Sequence, residues 1–507
     1  MGRIDVILDD HLEQEFRKTV ARVLGMKKGH LRKAIEEAIE NWIKSKKESM
    51  GMSGNMKLSK ITDFIGGEVP SENWDFRGES TDYLTHGLHP YPARMHPLLA
   101  QRLIKLYSRG GIVLDPFCGS GGVLVESKLA NLPSIGVDIN PLALFLSKVK
   151  TTPLPENELK RTWHLLKKRV KYEIEKAQCR ELTIPEFPPE LHVDYWFKPK
   201  VMSELALIKR CIEDMIEEGD LKDFFLAVFS SLVRYVSNNR PNEYKLYRLP
   251  PEELEKYNPD VLGKFLTLAE NAVSRMLEFS RKCPKNVECQ LILGDSRNLA
   301  SLISNSIDLI VTSPPYGDSH TTVGYGQFSR YCLIWLSYNG YELTSSPRFD
   351  YKVSRKIDTE LSLGGEAFGR SSDEVEKIVR ISKTAIETIE QIKQNEIELK
   401  PRASRIPSLQ RYLKDLILSI EEMTKVLSKG GHICIVVGNR SIRGVRVRLD
   451  RIIPEVGVHF GLECVRITRR IIPSKRHPLA QKLMINGRPV KWIDNILAED
   501  IIVLRKS

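Results

Sequence analysis

Eight cysteines, at 118, 179, 211, 283, 289, 332, 434 and 464, supply no CxxC pair in the 507 residues of the chain. The nearest two, Cys283 and Cys289, lack the spacing of zinc ligands, so neither a zinc site nor a disulfide framework is expected. No run reaches the ~18 apolar residues that span a bilayer. The opening MGRIDVILDD puts acids where a signal peptide needs its apolar core. An intracellular, cytoplasmic protein without a metal is expected. What the chain does have is positive charge, 77 Lys and Arg against 65 Asp and Glu, a net +12 that suits a polyanionic partner. A 41% apolar content provides for a sizeable core, and the length predicts several domains.

Residues 1–48 form a candidate module of their own. Ile4, Val6 and Leu8 alternate as in a strand; Leu12, Phe16 and Val20 recur at helical spacing as far as Gly25; Leu31, Ile35, Ile39 and Trp42 mark a second helix. Strand, helix and helix in so short a span resemble a ribbon-helix-helix module. The resemblance implies a homodimer paired through residues 3–9 and a ribbon that can enter the DNA major groove. A helical hairpin packed on the body is the alternative.

Residues 49–85 read as linker and lead-in. Over 86–150, GIVLD, PFCGSGG, VLVESKLAN and SIGVD give strand, Gly-rich turn, helix and strand, a βαβ unit. Residues 151–285 are charged and helical, a candidate target-recognition insertion. The strands ECQLIL and IDLIV return within 286–339, a second helical insertion occupies 340–414, and GGHICIVVGN and DIIVLRK complete the sheet within 415–507. The expected fold is α/β: a doubly wound, Rossmann-like sheet with helical insertions and a small N-terminal strand-helix-helix module.

Three motifs carry chemistry. In DPFCGSGG (115–122), Gly119 and Gly121 let backbone N–H groups approach a ligand at a helix N-terminus. About 20 residues on, Asp138 of GVDIN ends the next strand, where an acid accepts hydrogen bonds from ribose hydroxyls. The third, TSPPY (312–316), follows the buried strand IDLIV and fixes its own backbone with Pro314 and Pro315.

DPFCGSG followed by TSPPY resembles the S-adenosylmethionine-dependent amino-methyltransferases of nucleic acids, and the Ser before PPY resembles their cytosine-N4 branch. The resemblance covers roughly 190 residues of the sheet domain and implies a class I methyltransferase sheet. It implies S-adenosylmethionine as cofactor, with Asp115, Phe117, Gly119 and Gly121 around its methionine end, Asp138 on the ribose and Asp295 on the adenine side. HPYPARMHPLLAQRLI (89–104), led by His89, Pro90 and Tyr91, resembles the segment that covers the methionine end. For the catalytic motif the resemblance implies that Ser313 and the Pro314 carbonyl accept the amine hydrogens as the nitrogen becomes tetrahedral and positive, that Pro315 stiffens the turn, and that Tyr316 stacks on a base removed from its helix.

Tyr325 and Arg330, in the polar run after the motif, are candidate nucleic-acid contacts. So is the loop VSNNRPNEYKLYR (236–248). Residues 440–476 carry ten Lys and Arg against three acids. Arg443, Arg446, Arg448, Arg469, Arg470, Lys475 and Arg476 there form a candidate phosphate-tracking strip. The expected activity is methyl transfer to cytosine N4 in nucleic acid, DNA favoured. The alternatives are an archaeal-type small-subunit rRNA cytidine-N4 enzyme, an adenine-N6 DNA enzyme, and a non-catalytic DNA-binding regulator.

Overall fold

Val113–Asp115 (β1), Ser134–Asp138 (β2), Cys289–Leu293 (β3), Ile307–Thr312 (β4), Leu427–Val437 (β5), Leu462–Ile471 (β6) and Ala498–Lys506 (β7) form one seven-stranded sheet in the order β3-β2-β1-β4-β5-β7-β6. The first five strands are parallel, and β7 runs antiparallel between β5 and β6. A computed structural model gives this architecture; it describes residues 74–178, 183–241, 243–317, 323–344, 347–365, 372–472, 480–485, 488–494 and 498–507. The N-terminal module, Lys475 and Arg476 lie outside the described residues. Among the described residues, no helix is long and apolar enough to cross a membrane, and no cluster of metal-ligating side chains occurs.

The period of two along the strands divides the core. Leu114, Ile310 and Ile435 face one layer of helices, whereas Val113, Leu309, Val311 and Val436 face the other. The second layer is Pro97–Tyr107 (α1), seated through Leu99, Leu103 and Ile104. Gly-Leu packing brings Gly122–Leu129 (α2) hard against the sheet: a Cβ on Gly136 of β2 would stand 2.5 Å from Leu124. Pro141–Thr151 (α3) starts where it does because Asn140 caps the Leu142 N–H and Pro141 fills the first turn.

The described residues of 151–285 fold as a helical layer built on α3. Glu156–Gln178 (α4), Pro199–Met215 (α5), Asp220–Val236 (α6) and Val261–Lys282 (α7) join Tyr325–Ser337 (α8) around Phe224, Phe229, Phe265, Phe279 and Trp335. On the opposite side Lys383–Leu399 (α9), Ile406–Val426 (α10) and Leu449–His459 (α11) cover the β4–β5–β7 region.

Strand β6 was not expected as a strand. In LECVRITRRI the exposed positions include Val465, Ile467 and Ile471, whereas Arg466 and Arg470 stand on the more buried face, so burial runs against the polarity of the sequence and conceals the pattern.

Candidate active site

Strand order reverses between β1 and β4, and in an open parallel sheet ligands bind at such a point, beyond the strands' carboxyl ends. The Gly-rich turn leaves β1 there, and the SPPY turn leaves β4. A cleft of about 930 Å³, counting the space open to solvent, lies between them, lined by Tyr91, Phe117, Gly119, Asp138, Asp295 and Ser313, among others.

Backbone geometry explains the turn. Gly119 has φ +49°, and a Cβ on it would sit 3.3 Å from the Tyr91 ring. Gly121 has φ +80°, but it is not part of the cleft wall. A Cβ there would lie 2.8 Å from Ser147 Oγ and 3.0 Å from its Cα, so Gly121 serves the packing of α2 on α3. Ser120 and Gly122 line the cleft instead.

Asp138 is half-buried, and each of its oxygens takes one backbone donor: Gly119 N–H at 2.9 Å and Asn140 N–H at 2.8 Å. Enclosure raises its pKa to about 6 against the pull of those donors. Asp115 lines the cleft but is almost fully buried, accepting from Thr312 Oγ1 at 2.7 Å and Phe117 N–H at 3.1 Å. Burial lifts its pKa to about 7. Asp295 accepts from the Arg297 backbone N–H and guanidinium, and Arg297 also engages Asp415.

Of the segment 89–91, Tyr91 alone is on the cleft wall. His89 turns inward to Ser230 Oγ at 3.1 Å and the Pro90 carbonyl at 2.6 Å, and burial lowers its pKa to about 3. His89 and Pro90 therefore stand outside the cleft, as structural supports of Tyr91. Arg94 and Met95, further along the segment, do line it.

In the SPPY turn, Ser313 and Pro315 line the cleft. Ser313 Oγ donates to the Val436 carbonyl at 3.1 Å and lies 3.1 Å from the Tyr316 hydroxyl. Pro314 is buried, and Tyr412 donates to the Pro315 carbonyl at 2.7 Å. Tyr316 is half-buried and donates to Glu499 of β7 at 2.9 Å. Burial, then the Glu499 charge, holds the phenol well above its ordinary pKa.

Sequence reasoning missed two residues here. Glu499 lies 183 positions beyond Tyr316, and no local signal links them. Asn140 carries no motif signal of its own; besides capping α3, its amide donates to Tyr91 at 3.2 Å and to Ser329 of α8 at 2.8 Å.

Tyr325 lies in the cleft, its ring 6.2 Å from that of Tyr91, rather than on an outer surface. Arg330 is half-buried, with an Nε that has no hydrogen-bond partner. The basic strip is largely committed to internal acids. Arg443 pairs with Glu396, Arg448 forks onto Asp450, and Arg469 engages Asp500 at 2.8 Å. Arg470 is buried, 3.6 Å from Glu499. Arg446 is exposed. The formal excess in this strip therefore overstates the charge it offers to phosphates.

The cleft suits a nucleoside carrying an amino acid: Asp138 and Asp295 are its more accessible carboxylates beside the buried Asp115, and Phe117, Ile139, Ile357, Leu361 and Leu363 supply apolar wall. With the doubly wound sheet, this defines an S-adenosylmethionine-dependent methyltransferase of the class I, Rossmann-like type. The family model described as DNA methylase matches residues 14–148. The Type II methyltransferase M.MvaI of Kocuria varians is 35% identical over 436 residues, covering 84% of this chain and 92% of that protein. M.MjaII, a Type II methyltransferase of Methanocaldococcus jannaschii, is 24% identical over 347 residues, 52% of this chain and 63% of its own length. Among solved structures, the rRNA methyltransferase aviRa from Streptomyces viridochromogenes aligns over 82% of this chain and 88% of its own, with a TM-score of 0.28 at 11% identity. The chain belongs to the nucleic-acid amino-methyltransferase family, and S-adenosylmethionine is its cofactor.

Proposed function

We propose that the chain methylates the exocyclic N4 amine of cytosine in DNA, at a sequence-defined site. One observation carries the reading: Ser313 stands on the cofactor cleft while its hydroxyl hydrogen is directed at the Val436 carbonyl. Its lone pairs are thereby available to an amine hydrogen.

S-adenosylmethionine supplies an electrophilic methyl group carried on a sulfonium. A cytosine amine is a poor nucleophile, because its lone pair is delocalised into the ring. It gains from acceptors that hold it in line and receive its hydrogens as positive charge develops on nitrogen. Ser313 Oγ is one such acceptor and the Pro314 carbonyl a second, and neither proline brings an N–H that would oppose the amine. Tyr316, tethered through its hydroxyl to Glu499 and next to Ser313, offers a fixed ring to the extruded base. No strong general base is required, since the methylated nitrogen is tetrahedral and cationic, and its acidic proton leaves to solvent.

The Ser in the motif supports cytosine over adenine. The DNA methylase description of the matching family and the near full-length relation to a Type II methyltransferase support DNA over RNA. Nucleoside mass spectrometry on DNA and rRNA, from cells with and without the gene, tests both points. Loss of N4-methylcytosine from DNA alone is the expected result. Loss of N6-methyladenine, or of a methylated cytidine from rRNA alone, would overturn the respective assignment.

A further inference from the structure

Around the C-terminal end of α6, four tyrosines stand half out of the protein. Tyr195, Tyr235, Tyr244 and Tyr247 keep between 46% and 49% of their surface exposed. Folding ordinarily covers much of so large a ring, so four neighbouring exceptions call for a reason. Cations lie over two of them: the Arg248 guanidinium is 3.8 Å from the Tyr195 centroid, and the Lys264 ammonium 4.1 Å from that of Tyr235. Residues 234–248 hold four Lys and Arg against a single Glu.

The segment is held in a defined shape. Arg240 N–H donates to the Tyr247 carbonyl at 2.7 Å, Tyr247 N–H to Asn239 Oδ1 at 2.7 Å, and Leu249 N–H to the Asn238 carbonyl at 2.8 Å. It is also fastened beside the cleft. Gln327 of α8 accepts from Leu246 N–H at 3.2 Å. Arg234 bridges the Phe328 and Glu243 carbonyls, each at 2.9 Å. Tyr244 lies 6.3 Å from the Phe328 ring. Gln327 and Phe328 belong to the same first turn of α8 as Tyr325, which lines the cofactor cleft.

We propose that this face holds the nucleic-acid strand that flanks the target base, with unpaired bases stacked on the tyrosines and phosphates met by the neighbouring cations. The inference rests on the nucleic-acid reading above and adds where the strand lies. Stacking on rigid aromatics tolerates any base, and interleaved cations track the backbone, which is the chemistry of a single-strand path. A protein partner fits less well, because interface cores are depleted in lysine and this face carries both lysine and arginine among its rings.

The test uses the full chain and a Tyr244→Ala/Tyr247→Ala double variant, with Tyr195→Ala as an independent second. Fluorescence anisotropy reads their binding to labelled mixed-sequence oligonucleotides, single- and double-stranded, DNA and RNA, at two salt concentrations. Calorimetry reads S-adenosylmethionine binding and so certifies the fold of each variant. The expected result is salt-dependent binding by the parent, an affinity about tenfold lower in each variant, and unchanged cofactor binding. Equal affinity in parent and variants would overturn the surface and leave the methyltransferase reading standing. A parent that binds none of these probes and incorporates no methyl group into cellular DNA or RNA would overturn that reading itself. Self-association by the parent that the tyrosine changes abolish, with oligonucleotide binding intact, would reassign the face to a protein contact and overturn the proposal.

Discussion

Glu499 reaches Tyr316 from the far end of the chain, and its carboxylate fixes the phenol on which the target base is proposed to rest. Glu499→Ala should therefore lower kcat about tenfold, equivalent to about 1.4 kcal/mol. Its S-adenosylmethionine Kd should stay put, and Glu499→Gln, which keeps an acceptor, should lose less. Single-turnover rates alongside calorimetry check this; a fall in cofactor affinity instead of rate would contradict it. Ser313→Ala should be harsher, on the order of a hundredfold in rate, as expected when one preorganised polar partner of the transition state is removed. Asp138 titrates near 6 because enclosure outweighs its two backbone donors. Its carboxylate must be charged to accept from both ribose hydroxyls, so cofactor affinity should decline as pH drops through about 6. Calorimetry across that range should show the decline in the parent and a weak, pH-independent Kd in Asp138→Asn. Asp115 bears on the stability of the fold. Its folded pKa of about 7 is above the ordinary 3.8, so the folded state keeps a proton that the unfolded chain has released. Stability from this group is full below about 4 and is lost as pH rises towards about 7. The melting temperature of Asp115→Asn relative to the parent should climb over that window, and a flat difference would count against the assignment.

At the scale of elements, the turn between β1 and α2 joins two glycines with different duties. Gly121→Ala forces a side chain into φ +80° and into Ser147, so it should destabilise the fold by about 1–3 kcal/mol. A denaturant midpoint that does not move would show that α3 yields freely. The sequence made the sheet legible where strands are buried on both sides: β1, β2, β4 and β5 announce themselves as short β-branched runs bounded by turns. It also placed Gly119, Asp138, Asp295 and Ser313 in motifs that the fold gathers at one cleft. Edge strand β6 stayed hidden because its more buried face carries Arg466 and Arg470 while Val465, Ile467 and Ile471 are exposed, the reverse of the pattern that marks a strand. Contacts across long separations were equally hidden: nothing local couples Tyr316 to Glu499, or turns His89 towards Ser230.

At the scale of the molecule, a net +12 is distributed less freely than the count implies. Arg448 and Arg469 converge on Asp450, and Arg469 also engages Asp500, which is 2% exposed and also receives Asn439. Arg469→Ala should accordingly cost about 1–3 kcal/mol of stability, the penalty of leaving a buried acceptor short of a donor. The same change should leave the salt dependence of oligonucleotide binding almost unaltered; a slope reduced by about one would show that Arg469 meets a phosphate after all.

Strand β7 is the last of the seven in chain order, yet it lies inside the sheet, between β5 and β6. A ribosome making this protein must therefore release residues 498–506 before the gap in the sheet can be filled. Until then β5 and β6 show open edges to each other, and Tyr316 lacks the carboxylate that orients it. The nascent chain can assemble the βαβ unit early, but the reaction centre is finished only by a stretch that follows every other strand of the sheet in the chain.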